Sequence, residues 1–71
     1  MEDYRQRIGR RIEQLRTDNN ISQQQLAERS GVTQNNISRI EQGKYDPRAD
    51  TLEKIAHAMN MQLDFKEKPT E

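Results

Sequence analysis

The stretch SQQQLAERSGVTQNNISRIEQG, residues 22–43, decides the fold because it encodes two short helices joined by a tight turn. Gly31 supplies the left-handed backbone conformation that ends the first helix at little steric cost. Thr33 is a suitable N-cap for the second helix, on which Ile37 and Ile40 lie three residues apart on one inward face. The pattern therefore predicts two helices that pack against each other around a small shared core.

The other face of the second helix is polar and carries no acidic group. It presents Gln34, Asn35, Asn36, Ser38 and Arg39. Amides and a guanidinium at the start of an exposed helix match the donor and acceptor edges of base pairs in a major groove. We therefore predict that helix 34–42 reads DNA, with Ser38 contacting phosphate and the other four residues contacting bases.

The spacing of small and apolar residues in the motif is specific. Counted from Gln23, these residues are Ala27 (fifth), Gly31 (ninth), Val32 (tenth), Ile37 (fifteenth) and Ile40 (eighteenth). This arrangement resembles the helix-turn-helix of the phage-repressor family, the Cro-type and Xre-like DNA-binding transcriptional regulators. Ser30 departs mildly from the family pattern, which has an apolar residue at the eighth position.

The resemblance extends beyond the motif. IGRRIEQLR (residues 8–16) resembles the family's first helix, and IEQGKYDPRADTLEKIAHAM (residues 40–59) resembles the run from its recognition helix into its fourth. The resemblance implies an all-α, compact four-to-five-helix DNA-binding domain over residues 1–60, with the motif at 23–42. It also implies a structural ion pair between Arg16 and Glu41 that fixes the angle of the recognition helix, the alternative being two solvated charges.

A second set of residues is placed to contact DNA phosphates. Gln23 begins a helix, where its side chain and the positive end of the helix dipole can meet a phosphate oxygen; a solvated polar residue is the alternative. The other predicted phosphate contacts lie at the cap of the recognition helix, on it and beyond it: Thr33, Ser38, Lys44, Tyr45 and Arg48.

The flanking helices are predicted from their apolar spacing. The first runs from about Tyr4 to Asn19 and carries its buried stripe at i, i+4 and i+7. Gly9 within it costs about 1 kcal/mol of helix propensity relative to alanine, and close packing against a neighbouring helix would explain it. The fourth helix runs from about Ala49 to Met59, after a turn that contains Pro47.

The pattern of apolar and polar residues changes near the end of the chain. From Met61 to Lys66 apolar side chains alternate with polar ones, which is the period of a half-buried strand. We therefore expect one of three structures for residues 61–68. They form a short C-terminal β-strand that pairs with the same strand of a second subunit, an irregular tail over the core, or a fifth helix. In the strand reading, Met61, Leu63 and Phe65 form a dimer interface, and residues 69–71 are disordered.

Composition limits the remaining function classes. The 71 residues carry no net charge and no cysteine, and they hold one histidine, His57. We expect no metal site, no cofactor, no small-molecule substrate and no catalytic activity, because no nucleophile has a predictable base and the chain offers little cleft. The short apolar runs predict neither a signal peptide nor a membrane span, so a cytoplasmic location is expected.

Zero net charge is unusual for a DNA-binding protein, but the charges are unevenly distributed. Residues 1–48 hold nine Lys and Arg against seven Asp and Glu, and residues 49–71 hold three against five. The family resemblance and the polar face of helix 34–42 together imply a transcriptional repressor that binds double-stranded DNA as a homodimer on a palindromic operator. An antitoxin that binds DNA and a toxin protein is the alternative, and a protein-interaction module without DNA binding is disfavoured by the non-acidic face of the recognition helix.

Overall fold

The structure, a computed structural model, describes residues 3–60 and forms them into four α-helices. These are α1 (Tyr4–Asp18), α2 (Gln23–Ser30), α3 (Gln34–Glu41) and α4 (Ala49–Ala58). The predicted all-α class is confirmed, and α1, α3 and α4 each end one residue earlier than the sequence indicated. The predictions for residues 61–68 and 69–71, including the interface of Met61, Leu63 and Phe65, lie outside the described residues.

Side-chain caps fix where the first two helices begin. Asp3 accepts a hydrogen bond from the backbone N–H of Gln6, and the Gln6 side chain accepts one from the N–H of Asp3. Ser22 and Gln25 form the same reciprocal arrangement at the start of α2. Each pair satisfies two backbone donors that a helix N-terminus otherwise leaves unpaired.

The turn between α1 and α2 positions the first core residue of the motif. Asn20 adopts a left-handed conformation with φ of 58°. Its N–H donates to the Thr17 carbonyl, and the N–H of Ile21 donates to the Arg16 carbonyl, which together terminate α1. The chain therefore reverses within two residues, and the Ile21 side chain is buried in the core.

One hydrophobic core holds the four helices together. Its fully buried members are Leu26, Ile37, Ile40 and Ile55, which come from α2, α3 and α4. The other buried hydrophobic residues are Ile12, Ile21, Val32, Leu52, Ala56 and Met59. Helix α2 contacts both α3 and α4, and α1 contacts α3, so α3 is packed on two sides.

Helices α1 and α3 approach so closely that only glycine fits at the contact. Gly9 is buried, and a Cβ atom built on it would overlap the carbonyl oxygen of Ile40 and lie 2.8 Å from that of Glu41. The close approach predicted for Gly9 is therefore present, and the neighbour is the last turn of α3. The orientation of α3 is thus fixed by backbone contact as well as by side-chain packing.

Candidate nucleic-acid interface

Helix α3 separates its packing residues from its polar residues. Ile37 and Ile40 are fully buried, whereas Gln34, Asn35 and Arg39 are exposed. The fourth predicted base-reading residue, Asn36, is half-buried. The three exposed side chains are not part of the core. The amides and the guanidinium of this helix face offer the donors and acceptors that base edges require.

Thr33, which the sequence predicts to contact a DNA phosphate, is the N-cap of α3. The hydroxyl oxygen of Thr33 accepts a hydrogen bond of 3.2 Å from the backbone N–H of Asn36. A hydroxyl has one donor besides its acceptor lone pairs, so Thr33 can cap the helix and still donate to a phosphate oxygen. The two roles are therefore compatible at this exposed residue.

The loop after α3 carries three of the predicted phosphate contacts. Lys44 and Arg48 are exposed, while Tyr45 is half-buried against the core. Nε of Arg48 lies 3.8 Å from a carboxylate oxygen of Asp50, and both side chains are well exposed. Such a surface pair is worth only about 0–1 kcal/mol, so it leaves the Arg48 guanidinium available to other anions.

A buried network joins α1, α2 and α3 beneath this surface. The Arg16 guanidinium donates to both carboxylate oxygens of Glu41, at 2.7 and 3.0 Å, and to the carbonyl of Ile21 at 2.9 Å. The side chains of Arg16 and Glu41 are only 11% and 5% exposed. The hydrogen bonds to Glu41 raise the pKa of the Arg16 guanidinium above its usual value, so this guanidinium stays charged at any physiological pH.

The side chain of Gln23 belongs to the same network, which the sequence did not indicate. Its amide nitrogen donates a hydrogen bond of 3.0 Å to a carboxylate oxygen of Glu41, and the side chain is half-buried. An amide NH₂ group has two donors, so one hydrogen remains for a phosphate oxygen. No local pattern could have indicated this contact, because Gln23 and Glu41 lie 18 residues apart.

Two further polar contacts were not anticipated. Ser38 accepts a hydrogen bond of 2.8 Å from the side-chain amide of Gln42, which adds Gln42 to the exposed surface of the motif. The i, i+4 spacing of these residues is the signal that could have indicated the pair. Ser30 accepts from the N–H of Val32 at 3.1 Å, so its hydroxyl bridges the turn at a position where the family has an apolar residue.

Residues 3–60 hold no group of three or more side chains that could together bind a metal ion, and His57 is exposed on α4. None of the helices in this range is long and apolar enough to cross a membrane. The polar surface of α3 and the loop after it is therefore the site that the described residues define most clearly.

Comparison with known proteins identifies the same motif. The sequence model of the helix-turn-helix family HTH_3 matches residues 12–66, which is more than half of the chain. The chain is 34% identical over 56 residues to the immunity repressor protein of Bacillus phage phi105, covering 79% of this chain and 39% of the relative. It is 38% identical over 55 residues to the HTH-type transcriptional regulator PuuR of Escherichia coli, covering 78% of this chain and 30% of the relative.

A solved structure gives a fuller overlap. The restriction-modification controller protein C.AhdI from Aeromonas hydrophila superposes with a TM-score of 0.78 at 28% identity, covering 80% of this chain and 86% of that one. The chain belongs to the HTH_3 helix-turn-helix family, so the resemblance to Cro-type and Xre-like regulators is confirmed. It spans less than two fifths of the length of the two curated relatives.

Proposed function

We propose that this chain is a sequence-specific DNA-binding transcriptional regulator, a repressor that inserts α3 into the major groove of its operator. The observation that carries the proposal is the division of α3 into a fully buried apolar side and an exposed polar side without an acidic residue. The names of its relatives, a phage immunity repressor among them, support the same function. The matched family is one of DNA-binding regulators, and we propose no catalytic activity for this chain.

In this proposal, the base contacts come from α3, and the phosphate contacts come from the motif and from the loop after it. Gln34, Asn35 and Asn36 lie on the leading turn of α3, where recognition helices direct side chains to base edges. Their amides suit adenine, and Arg39 suits guanine. The phosphate contacts lie around this surface and fix its orientation on the duplex; they are Gln23, Thr33, Ser38, Lys44, Tyr45 and Arg48.

We further propose that the regulator acts in the cytoplasm as a homodimer on a palindromic operator. One recognition helix reads only a few base pairs, too few to find one operator among about 10⁶–10⁹ competing sites. A two-fold dimer doubles the sequence that is read and spaces the two helices by one DNA turn, about 34–36 Å.

Binding-site selection from random duplexes at a fixed salt concentration tests the proposal. The unmodified chain should enrich an inverted repeat, and Gln34→Ala and Arg39→Ala should each relax the preference at one or two half-site positions. Lys54→Ala, which changes an exposed residue of α4 outside the motif, should leave the selected sequence unchanged. If neither α3 variant alters that sequence, helix α3 is not the reader.

The alternative function, an antitoxin, predicts a protein partner in addition to DNA. It requires a stable complex with a second protein, so co-purification of the chain from its native source should yield a stoichiometric partner. A chain that is isolated without such a partner and still selects an operator supports the repressor. The two outcomes separate the alternatives without any assumption about residues 61–68.

A further inference from the structure

The last turn of α3 and the loop after it bring an arginine and a tyrosine together. Cζ of Arg39 lies 5.9 Å from the centre of the Tyr45 ring, within the range at which a guanidinium is attracted to an aromatic face. Tyr45 is half-buried and packs against the hydrophobic core, whereas Arg39 is exposed. The Tyr45 ring is therefore held in place by the core, and its contact with Arg39 restricts the conformations of the arginine side chain.

The backbone of the loop holds the ring in this place. Gly43 has a φ of 75°, its N–H donates to the Ile40 carbonyl, and the N–H of Lys44 donates to the carbonyl of Arg39 itself. This pair of hydrogen bonds across a left-handed glycine is the Schellman termination of a helix. The chain therefore turns sharply at Gly43 and returns Tyr45 to the side of Arg39.

We propose that Tyr45 is a positioning residue for Arg39, whose guanidinium it holds in the orientation that reads a base. The inference rests on the proposed function and adds a role for the Tyr45 ring to the phosphate contact proposed for the Tyr45 hydroxyl. Stacking uses the face of a guanidinium and leaves its edge N–H groups free for bidentate donation to guanine. Restricting the arginine before it binds also reduces the conformational entropy lost on complex formation.

The test compares Tyr45→Leu, which removes the ring, with Tyr45→Phe, which removes only the hydroxyl. Each variant of the full chain is titrated with the selected operator and with a duplex altered at the position where Arg39→Ala relaxes preference. Tyr45→Phe should keep the ratio of the two dissociation constants. Tyr45→Leu should reduce it by about two- to fivefold, the effect expected for an exposed cation–π contact, and should add nothing in the Arg39→Ala background.

Different results overturn different statements. If the unmodified chain selects no sequence, or if Arg39→Ala leaves the preference intact, the proposed function of Arg39 fails and the positioning role fails with it. If Arg39→Ala relaxes the preference and a folded Tyr45→Leu does not, only the positioning role of Tyr45 is wrong. Equal losses from Tyr45→Phe and Tyr45→Leu would assign the effect to the hydroxyl and overturn the inference.

A second measurement decides the question if the leucine variant does not fold. The NMR resonances of the Arg39 side chain in the free protein should be shifted upfield by the Tyr45 ring current, and Tyr45→Phe should preserve the shift. Random-coil positions for these resonances in the unmodified chain would show that the stack does not form in solution. That result overturns the inference without any measurement on DNA.

Discussion

Arg16 and Glu41 form a bidentate ion pair that links α1 to the last residue of α3, with the shorter hydrogen bond at 2.7 Å. Both side chains are almost fully removed from water. Burying two charges is costly, and the cost is offset here because Ile21 and Gln23 supply additional hydrogen bonds to the pair. The pair therefore helps to set the orientation of α3. Loss of either partner would leave the other charge buried and uncompensated.

Removal of one partner should be strongly destabilising. Glu41→Ala leaves the Arg16 guanidinium buried without its carboxylate, so urea denaturation should show a loss of about 3–5 kcal/mol in the free energy of unfolding. Glu28→Ala, which removes an exposed carboxylate from α2, should change that free energy by less than about 0.5 kcal/mol. The double variant Arg16→Met/Glu41→Leu should be more stable than Glu41→Ala alone. Equal effects of Glu41→Ala and Glu28→Ala would show that the pair contributes no more than surface charges do.

Gly9→Ala should destabilise the domain although alanine is the better helix former. Propensity alone favours the substitution by about 1 kcal/mol. The added Cβ would overlap the Ile40 carbonyl oxygen, and overpacking of this kind typically costs about 1–3 kcal/mol. Thermal unfolding should therefore show a lower midpoint for Gly9→Ala, while Gln14→Ala at an exposed position of α1 keeps or raises it. A higher midpoint for Gly9→Ala would mean that α1 and α3 separate at little cost.

Lys44→Ala should weaken binding to all DNA sequences alike. An exposed lysine just beyond α3 contributes through phosphate neutralisation, so its loss should reduce the slope of log K against log salt by about one unit. Titrations at several salt concentrations measure this slope. The control is Lys54→Ala, which removes the same charge from α4, and it should leave the slope near that of the unmodified chain. Identical slopes for the two variants would place Lys44 outside the interface.

Acid should loosen the start of α1 through Asp3. The hydrogen bond from the Gln6 N–H, assisted by Arg5, lowers the pKa of Asp3 below its usual value. A lowered folded-state pKa contributes stability at pH values above the unfolded-state pKa, and that stability is lost as the pH falls through the folded-state value. Below about pH 4 the unmodified chain should lose helix content that Asp3→Asn retains, because asparagine caps without titrating. Circular dichroism of the two proteins from pH 6 to pH 2 measures the difference, and superimposable curves would count against the cap.

Deletion from Met61 onward should produce a monomer with much weaker operator affinity and little loss of helix content. The prediction follows from the strand interpretation of the sequence, in which Met61, Leu63 and Phe65 would share one apolar face and the strand edge would pair with a second copy. Deleting only residues 69–71 is the matched control and should leave the dimer intact. Sedimentation velocity distinguishes these species. A dimer that survives the longer deletion would move the interface to α4, around His57 and Met59.

Local signals in the sequence predicted the four helices, the end of α2 and the N-cap of α3. The glycine at position 31 and the cap at Thr33 act within a few residues of the structure that they determine, so their effect can be read directly. The helix ends were wrong by one residue because terminal turns fray and depend on backbone hydrogen bonds outside the helix. The close approach at Gly9 was expected, but its neighbour could not be named from spacing alone.

The candidate site was less predictable than the fold. Resemblance to a family was needed to connect Arg16 with Glu41, since no local pattern joins residues 25 positions apart. The contacts of Gln23 with Glu41 and of Arg39 with Tyr45 depend on how helices and loops meet in space. Side chains that look equally solvated in the sequence are therefore distinguished only by the folded structure.

The separation of buried and exposed residues on α3 affects how the DNA specificity of this protein can evolve. Ile37 and Ile40 contribute to the core, whereas Gln34, Asn35 and Arg39 contribute almost nothing to it. Mutations at these three exposed positions can accumulate without unfolding the domain, because surface substitutions usually change stability by less than about 0.5 kcal/mol. A lineage could thus acquire a new operator through a few substitutions on one helix, and a randomised library at these positions should consist mostly of folded proteins.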